Sequence, residues 1–264
     1  MKNKSILIIV FSIFCILGFW SELMSDAGNL QDWDKKDIEK YLKTAEIVSL
    51  KIDPQGGRTE AWIISLDDGK AASRGLFKHV DSARPTPIAD SYRYEIVAYE
   101  LDKLLDFNRI PPVVEREIEG TNGSLQLYIE GCKPLSYQMQ RNIQPPDPAG
   151  FQDALAEINV FENLSYCKHD LNDVLIHTNT WKACRVDFSQ AFSPTPKLIP
   201  DQSIERCSRK LYENLVYLSE EVLQDKLKHW LNSEEISALL ERKKIIIDTI
   251  KRRVEEWGEE AVLF

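Results

Sequence analysis

Residues 160–192 read VFENLSYCKHDLNDVLIHTNTWKACRVDFSQAF. Two short runs of β-forming residues, 174–176 and 181–186, lie on either side of the polar turn HTNT and read as a hairpin. Asp170 and Asp173 precede the hairpin, and Asp187 follows it. Carboxylates gathered at the open end of a hairpin have two ordinary uses. They hold a hard cation, which prefers oxygen ligands, or they cap a solvated turn. The surrounding chain decides between these uses.

Upstream, FQDALAEINVFENLSY (151–166) reads as a helix. Downstream, SEEVLQDKLKHWL and EEISALLERKKIIIDTIKRRVEEW carry apolar stripes that include Ile236, Leu239, Leu240, Ile246, Ile247, Ile250 and Val254. Gly258 is placed to stop the last of them. The first half of the chain is patterned differently. EIVSLKID, TEAWIISL and ASRGLFKHV are separated by the turns PQGG and DDG, which are strong hairpin signals. After the loop RPTP, DSYRYEIVAYELDKLLDF places Ile96, Val97, Leu101, Leu104 and Leu105 at helical spacing, with Asp90 or Ser91 as N-cap. IPPVVEREI and SLQLYIE, joined by EGTNG, add two more strands. The expected fold is α+β, with a β-rich lobe in the order β-β-β-α-β-β over 45–131 and a mostly helical lobe over 132–264.

Composition narrows the partners. The chain has 264 residues, a net charge of −9 and a pI near 5.1, which argues against a nucleic-acid partner because phosphate backbones need a basic face. The start, MKNK followed by SILIIVFSIFCILGFW, has the n-region and h-region of a secretory leader. Residues 1–24 are therefore expected to be a signal peptide or an anchor that contacts membrane, and 25–44 a stalk with a short helix. The rest of the protein would work outside the cytoplasm. Cys132, Cys167, Cys184 and Cys207 fit no zinc spacing and read as buried free thiols or a disulfide. Asn122 and Asn163 lie in glycosylation sequons.

The order of the charged residues then carries the functional reading. A glycine turn, Gly56 and Gly57, lies between the first two strands, and Lys78 ends the third. Glu95 falls in the first turns of the following helix, the connection 130–132 holds Glu130 and Cys132, and the helical half contributes Asp170, Asp173 and Asp187. This is the order of parts in a two-lobed kinase: phosphate-covering turn, phosphate-binding lysine with its helix glutamate, hinge, catalytic loop and metal-binding aspartate. DSYRYEIVAYELDKLLDFNRIPPVVER with GSLQLYIEG, the pattern VFENL…VLI…WK…VDFSQAF, and IERCSRKLYENL together resemble the atypical kinases. That group includes HipA-like, phosphatidylinositol-kinase-like and secretory-pathway (Fam20-type) members, and the resemblance covers roughly residues 45–264.

The resemblance implies ATP as nucleotide and Mg²⁺ or Mn²⁺ as cofactor, with phosphoryl transfer to a protein or other hydroxyl-bearing substrate. It implies that Lys78 holds phosphates and Glu95 orients Lys78. Gly56, Gly57, Glu130 and Cys132 would line the nucleotide, and Asp187 and Asp173 would bind metal. The catalytic loop departs from the family. Five residues back from Asp173 stands Lys168, and the nearest carboxylate is Asp170, three residues away; DFS also replaces DFG. Two readings follow: a shortened loop with Asp170 as base, or a pseudokinase that binds nucleotide or a partner protein.

Overall fold

The computed structural model of the chain describes residues 34–54, 59–82 and 89–264. The leader, the first part of the expected stalk, Gly56, Gly57 and the RPTP loop lie outside the described residues. Helix α1 (Lys35–Thr44) starts at Asp34, whose side chain accepts from Asp37 N at 2.9 Å. Its buried residues Ile38, Tyr41 and Leu42 form one stripe, and that stripe packs on a sheet. The short helix expected within the stalk is thus part of the first lobe's core.

The sheet comprises β1 (Glu46–Ile52), β2 (Ala61–Asp67), β3 (Ala72–Lys78), β6 (Val113–Ile118) and β7 (Thr121–Leu127). All its pairings are antiparallel, in the order β1-β2-β3-β7-β6. Period-2 alternation assigns its faces. Ile64, Leu66, Phe77, Val114, Ile118 and Leu125 turn toward α1. The β6–β7 turn is two residues long, Glu119 and Gly120, both at positive φ, the geometry that matches strand twist. Gly123 has a separate reason to be glycine. A Cβ there would stand 2.4 Å from the Lys78 carbonyl and 2.5 Å from the Phe77 ring, so only glycine lets β7 close on the end of β3.

Between β3 and β6, the short ladder of β4 (Asp81–Ser82) with β5 (Asp90–Ser91) leads into α2 (Tyr92–Leu105). Ser91 is the N-cap, accepting from Arg93 N, and Asp106 ends the helix in the left-handed region. Helix α2 is buried on nearly every side. Val97, Tyr99, Leu101 and Leu105 belong to the large core of the second lobe rather than to the sheet's own core.

The second lobe holds β8 (Cys132–Pro134), α3 (Leu135–Gln140), α4 (Pro148–Ser165), β9 (Val174–His177) and β10 (Ala183–Arg185). It continues with α5 (Arg209–Tyr217), α6 (Glu220–Leu227), α7 (Ser233–Trp257) and α8 (Glu259–Val262). The expected hairpin is β9–β10, and β8 joins it as a third strand. Phe161 of α4 stacks on Phe107 at 4.6 Å and meets Phe188 edge-on at 5.7 Å, and burying each such ring stabilises by about 1.5–3 kcal/mol. Asn232 and Glu235 form a reciprocal capping box on α7. Among the described residues no helix is long and apolar enough to cross a membrane. The four cysteines within them are free thiols. Asn163 is fully buried, donating to Asn159 O and Gln202 O and accepting from Ile199 N; in the folded chain this sequon is a structural bracket.

Candidate active site

Lys78 stands at the end of β3, on the face opposite Phe77. Its ammonium lies 2.6 Å from Glu95 Oε1 and 2.8 Å from Asp187 Oδ1. The three residues are 17 and 109 positions apart in sequence, so tertiary folding alone brings them together. Glu95, buried in the first turn of α2, also accepts from Phe188 N at 3.0 Å through the same oxygen. Burial works against the Lys78 charge, but the two carboxylates outweigh it and hold the ammonium well above the usual lysine range.

Asp187 follows β10 in the left-handed region, φ 62°, which turns the chain sharply at this residue. Ser189 Oγ donates to Asp187 Oδ1 at 3.1 Å, and Ser189 O accepts from Ser91 N at 2.8 Å. The DFS segment is thereby tied to the N-terminus of α2. Burial raises the Asp187 carboxyl, but Lys78 and the Ser189 donors prevail and hold it down at about 2.

The loop after α4 is short and closed by its own polar groups. Asp173 N donates to Asp170 O at 3.1 Å, and Asn172 donates to Asp170 Oδ1 through N at 2.8 Å and through Nδ2 at 3.0 Å. Val186 N donates to Asp173 O at 2.9 Å, fixing this turn beside the strand that delivers Asp187. Burial pushes the Asp173 carboxyl up to about 7, with Asp187 and Asp170 adding to the effect and Arg185 opposing it.

Arg185, 1% exposed on β10, organises this loop from beneath. Its Nε donates to Glu162 Oε1 on α4 at 2.7 Å, its Nη2 to Lys168 O at 3.2 Å and its Nη1 to Val186 O; Asp173 Oδ2 is 3.4 Å from Nη1. His169 Nδ1 lies 2.9 Å from the other Glu162 oxygen. Sequence reasoning missed this network. The available signal was phase: in ACRVD, Arg185 shares the buried phase of Ala183, and an arginine there requires an internal carboxylate.

A cleft of about 1350 Å³ lies between the sheet and this loop. Ala61, Leu76, Lys78 and Gln126 line it from the sheet; Asp170, Asp173 and Asp187 line it from below, with Cys132 at the connection. Glu130 lies outside the lining and pairs instead with Arg74, in a two-pronged contact at 2.6 and 2.8 Å. Gly56 and Gly57 fall outside the described residues. His79 packs its ring 4.5 Å from that of Trp62, away from the carboxylates of the loop.

The candidate donors for a small divalent cation are two carboxylates. Asp173 and Asp187 line the same cleft, and Glu95 Oε2 is buried without a hydrogen-bond partner among the described residues. Among the described residues no group of three or more His, Cys, Asp or Glu is placed to hold a metal ion by itself. Mg²⁺ is commonly held by one or two carboxylates with water and phosphate oxygens completing the shell.

No protein-family model and no curated protein sequence matches the chain. Solved structures do match in fold. The crystal structure of the Golgi casein kinase superposes with a TM-score of 0.67 at 13% identity, covering 88% of this chain and 78% of that one. The Helicobacter pylori proinflammatory kinase CtkA superposes with a TM-score of 0.52 at 12% identity, covering 81% of this chain and 99% of that one. A five-stranded sheet lobe over a helical lobe, with Lys78, Glu95 and Asp187 converging in the cleft between them, is a two-lobed, atypical kinase-like fold.

Proposed function

We propose that this protein transfers the terminal phosphoryl group of ATP to a hydroxyl-bearing substrate, a protein being the leading class, and that it does so outside the cytoplasm. The Lys78 ammonium bracketed by Glu95 and Asp187 carries this reading. Phosphoryl transfer depends on fixed charge and position more than on covalent chemistry. Glu95 holds Lys78 in the cleft, where its ammonium is placed to meet phosphate oxygens. Asp187 and Asp173 would hold Mg²⁺ or Mn²⁺, which when bound neutralises charge on the transferring phosphoryl group. Asp170 lines the cleft, and its Oδ1 is taken up by Asn172. Its Oδ2 would then accept the substrate hydroxyl proton. Cys132 marks the connection against which the nucleotide would rest. Export follows from the leader-like start of the sequence and agrees with the secretory setting that the name of the Golgi casein kinase indicates for that protein.

The tight turn 170–173 also supports a second reading, a pseudokinase that binds nucleotide without transferring phosphate. Phosphate transfer from γ-labelled ATP with Mn²⁺ separates the two. Transfer that is present in the wild type and lost in Asp170→Asn supports catalysis. Nucleotide-induced stabilisation without transfer to the protein itself or to a panel of secreted proteins selects the pseudokinase.

A further inference from the structure

The alternation that turns Lys78 toward the cleft turns three other side chains the same way. Lys78 pairs with Ser124 and Leu76 with Gln126, so these four share one face of the sheet. Gln126 is only 7% exposed, yet it lines the cleft. Its Nε2 is buried and has no hydrogen-bond partner among the described residues. Buried polar side chains are nearly always satisfied within the protein, and one that is not calls for an explanation. A carboxamide carries donors on one end and an acceptor on the other, and rotation about its terminal bond exchanges them.

Position supplies the explanation. Gln126 stands two residues along the strand pair from Lys78, about 7 Å at strand rise. Leu127 N and Tyr128 N, the next donors along the chain, bond to Pro112 O and Arg74 O, so the backbone there is already satisfied. Leu76, opposite Gln126, and Ala61 and Leu175 add apolar side chains to the lining of the same cleft, which suits the faces of a flat aromatic ring. A nucleotide anchored by its phosphates at Lys78 would bring the edge of its base to this amide.

We infer that Gln126 reads the nucleotide base. Its carboxamide accepts from the six-amino group of adenine or, turned over, donates to the six-oxo group of guanine, and the site therefore takes guanine as well as adenine triphosphates. The inference rests on the nucleotide reading of the cleft. The test is calorimetric titration of ATP and GTP, each with Mn²⁺, into wild type, Gln126→Leu and Gln126→Glu, with unliganded melting confirming that each variant is folded. Wild type is expected to bind GTP within about tenfold of ATP, and Gln126→Leu to weaken both by about tenfold, the loss of one hydrogen bond. Gln126→Glu keeps an acceptor and loses the donor, so it should retain ATP while GTP falls by about a hundredfold. Should the glutamate variant fail to fold, Gln126→Met is expected to reproduce the leucine result.

Affinities for both triphosphates unchanged in Gln126→Leu, or an ATP-to-GTP ratio unchanged in a folded Gln126→Glu, would overturn the base-reading role while leaving nucleotide binding intact. So would a wild type that binds ATP more than about a hundredfold better than GTP. If neither triphosphate binds wild type, the phosphoryl-transfer reading falls first, and this inference falls with it.

Discussion

Lys78 and Arg185 are both cations at the cleft, one on its sheet wall and one under its loop, and the protein holds them in different ways. Arg185 is 1% exposed, and Glu162, the backbone carbonyls of Lys168 and Val186, and the edge of Asp173 surround its guanidinium. Lys78 sits between one fully buried carboxylate, Glu95, and one that is half exposed, Asp187. A buried guanidinium with internal partners on both edges makes a structural strut, because removing any partner strands a charge in low dielectric. An ammonium sharing its charge with a half-exposed carboxylate keeps a face for exchange with a ligand. Under the proposed function, the contrast leaves Arg185 to the architecture of the loop and Lys78 with Asp187 to chemistry.

Stability measurements should expose the strut most strongly. Arg185→Leu removes the guanidinium from the fully buried Glu162, leaving it only His169 and Gln202, and is expected to cost about 3–5 kcal/mol in urea unfolding. The double variant Arg185→Leu with Glu162→Leu should recover most of that loss, since an apolar pair strands no charge. A single variant as stable as wild type would erase the distinction drawn between the two cations. Asp187→Asn should behave in the opposite way. Phosphoryl transfer is expected to fall by about 10²–10³, comparable to removing one preorganised electrostatic contact, while the unliganded protein keeps its melting temperature within a few degrees. A large melting shift without loss of transfer would make Asp187 a structural residue instead.

Acidity sharpens the same comparison on a smaller scale. The hydrogen bond to Glu162 raises the His169 imidazole above its ordinary range, partly offset by burial. A histidine whose folded value is raised contributes stability that is present below its unfolded value and lost as pH rises through the folded one. Wild type should therefore exceed His169→Gln in urea midpoint at about pH 6 and approach it at about pH 9. A difference that grows with pH would contradict the pairing. The smallest effect belongs to Glu130, whose exposed pairing with Arg74 holds it outside the cleft lining. Glu130→Ala is expected to cost less than about 1 kcal/mol and to leave ATP affinity unchanged; a marked loss of affinity would place its side chain in the site after all.

How far the site could be read in advance depended on the range of each signal. Lys78 at a strand end and Glu95 in the next helix are local features, legible from alternation and periodicity. Asp187 after a short strand was legible for the same reason. The strut was not, because Glu162 and Arg185 lie 23 residues apart and only the packing of α4 under the hairpin pairs them. Gln126 was unremarkable within SLQLYIE, and its unmet amide becomes visible only once burial is known. Helix α1 was expected within a stalk. Its stripe of Ile38, Tyr41 and Leu42 instead covers the sheet, and Lys35 reaches Asp102 of α2 at 2.6 Å.

Local periodicity, turn chemistry and the order of charged residues determined a sheet lobe followed by a helical lobe and named the three charges at its centre, because these properties depend on neighbours only a few positions away. Only the tertiary structure decided that α2 joins the core of the second lobe, that Arg185 underlies the loop and that Gln126 faces the cleft. Each of these depends on which groups lose water together, and desolvation is a property of the packed molecule that no short stretch of chain carries.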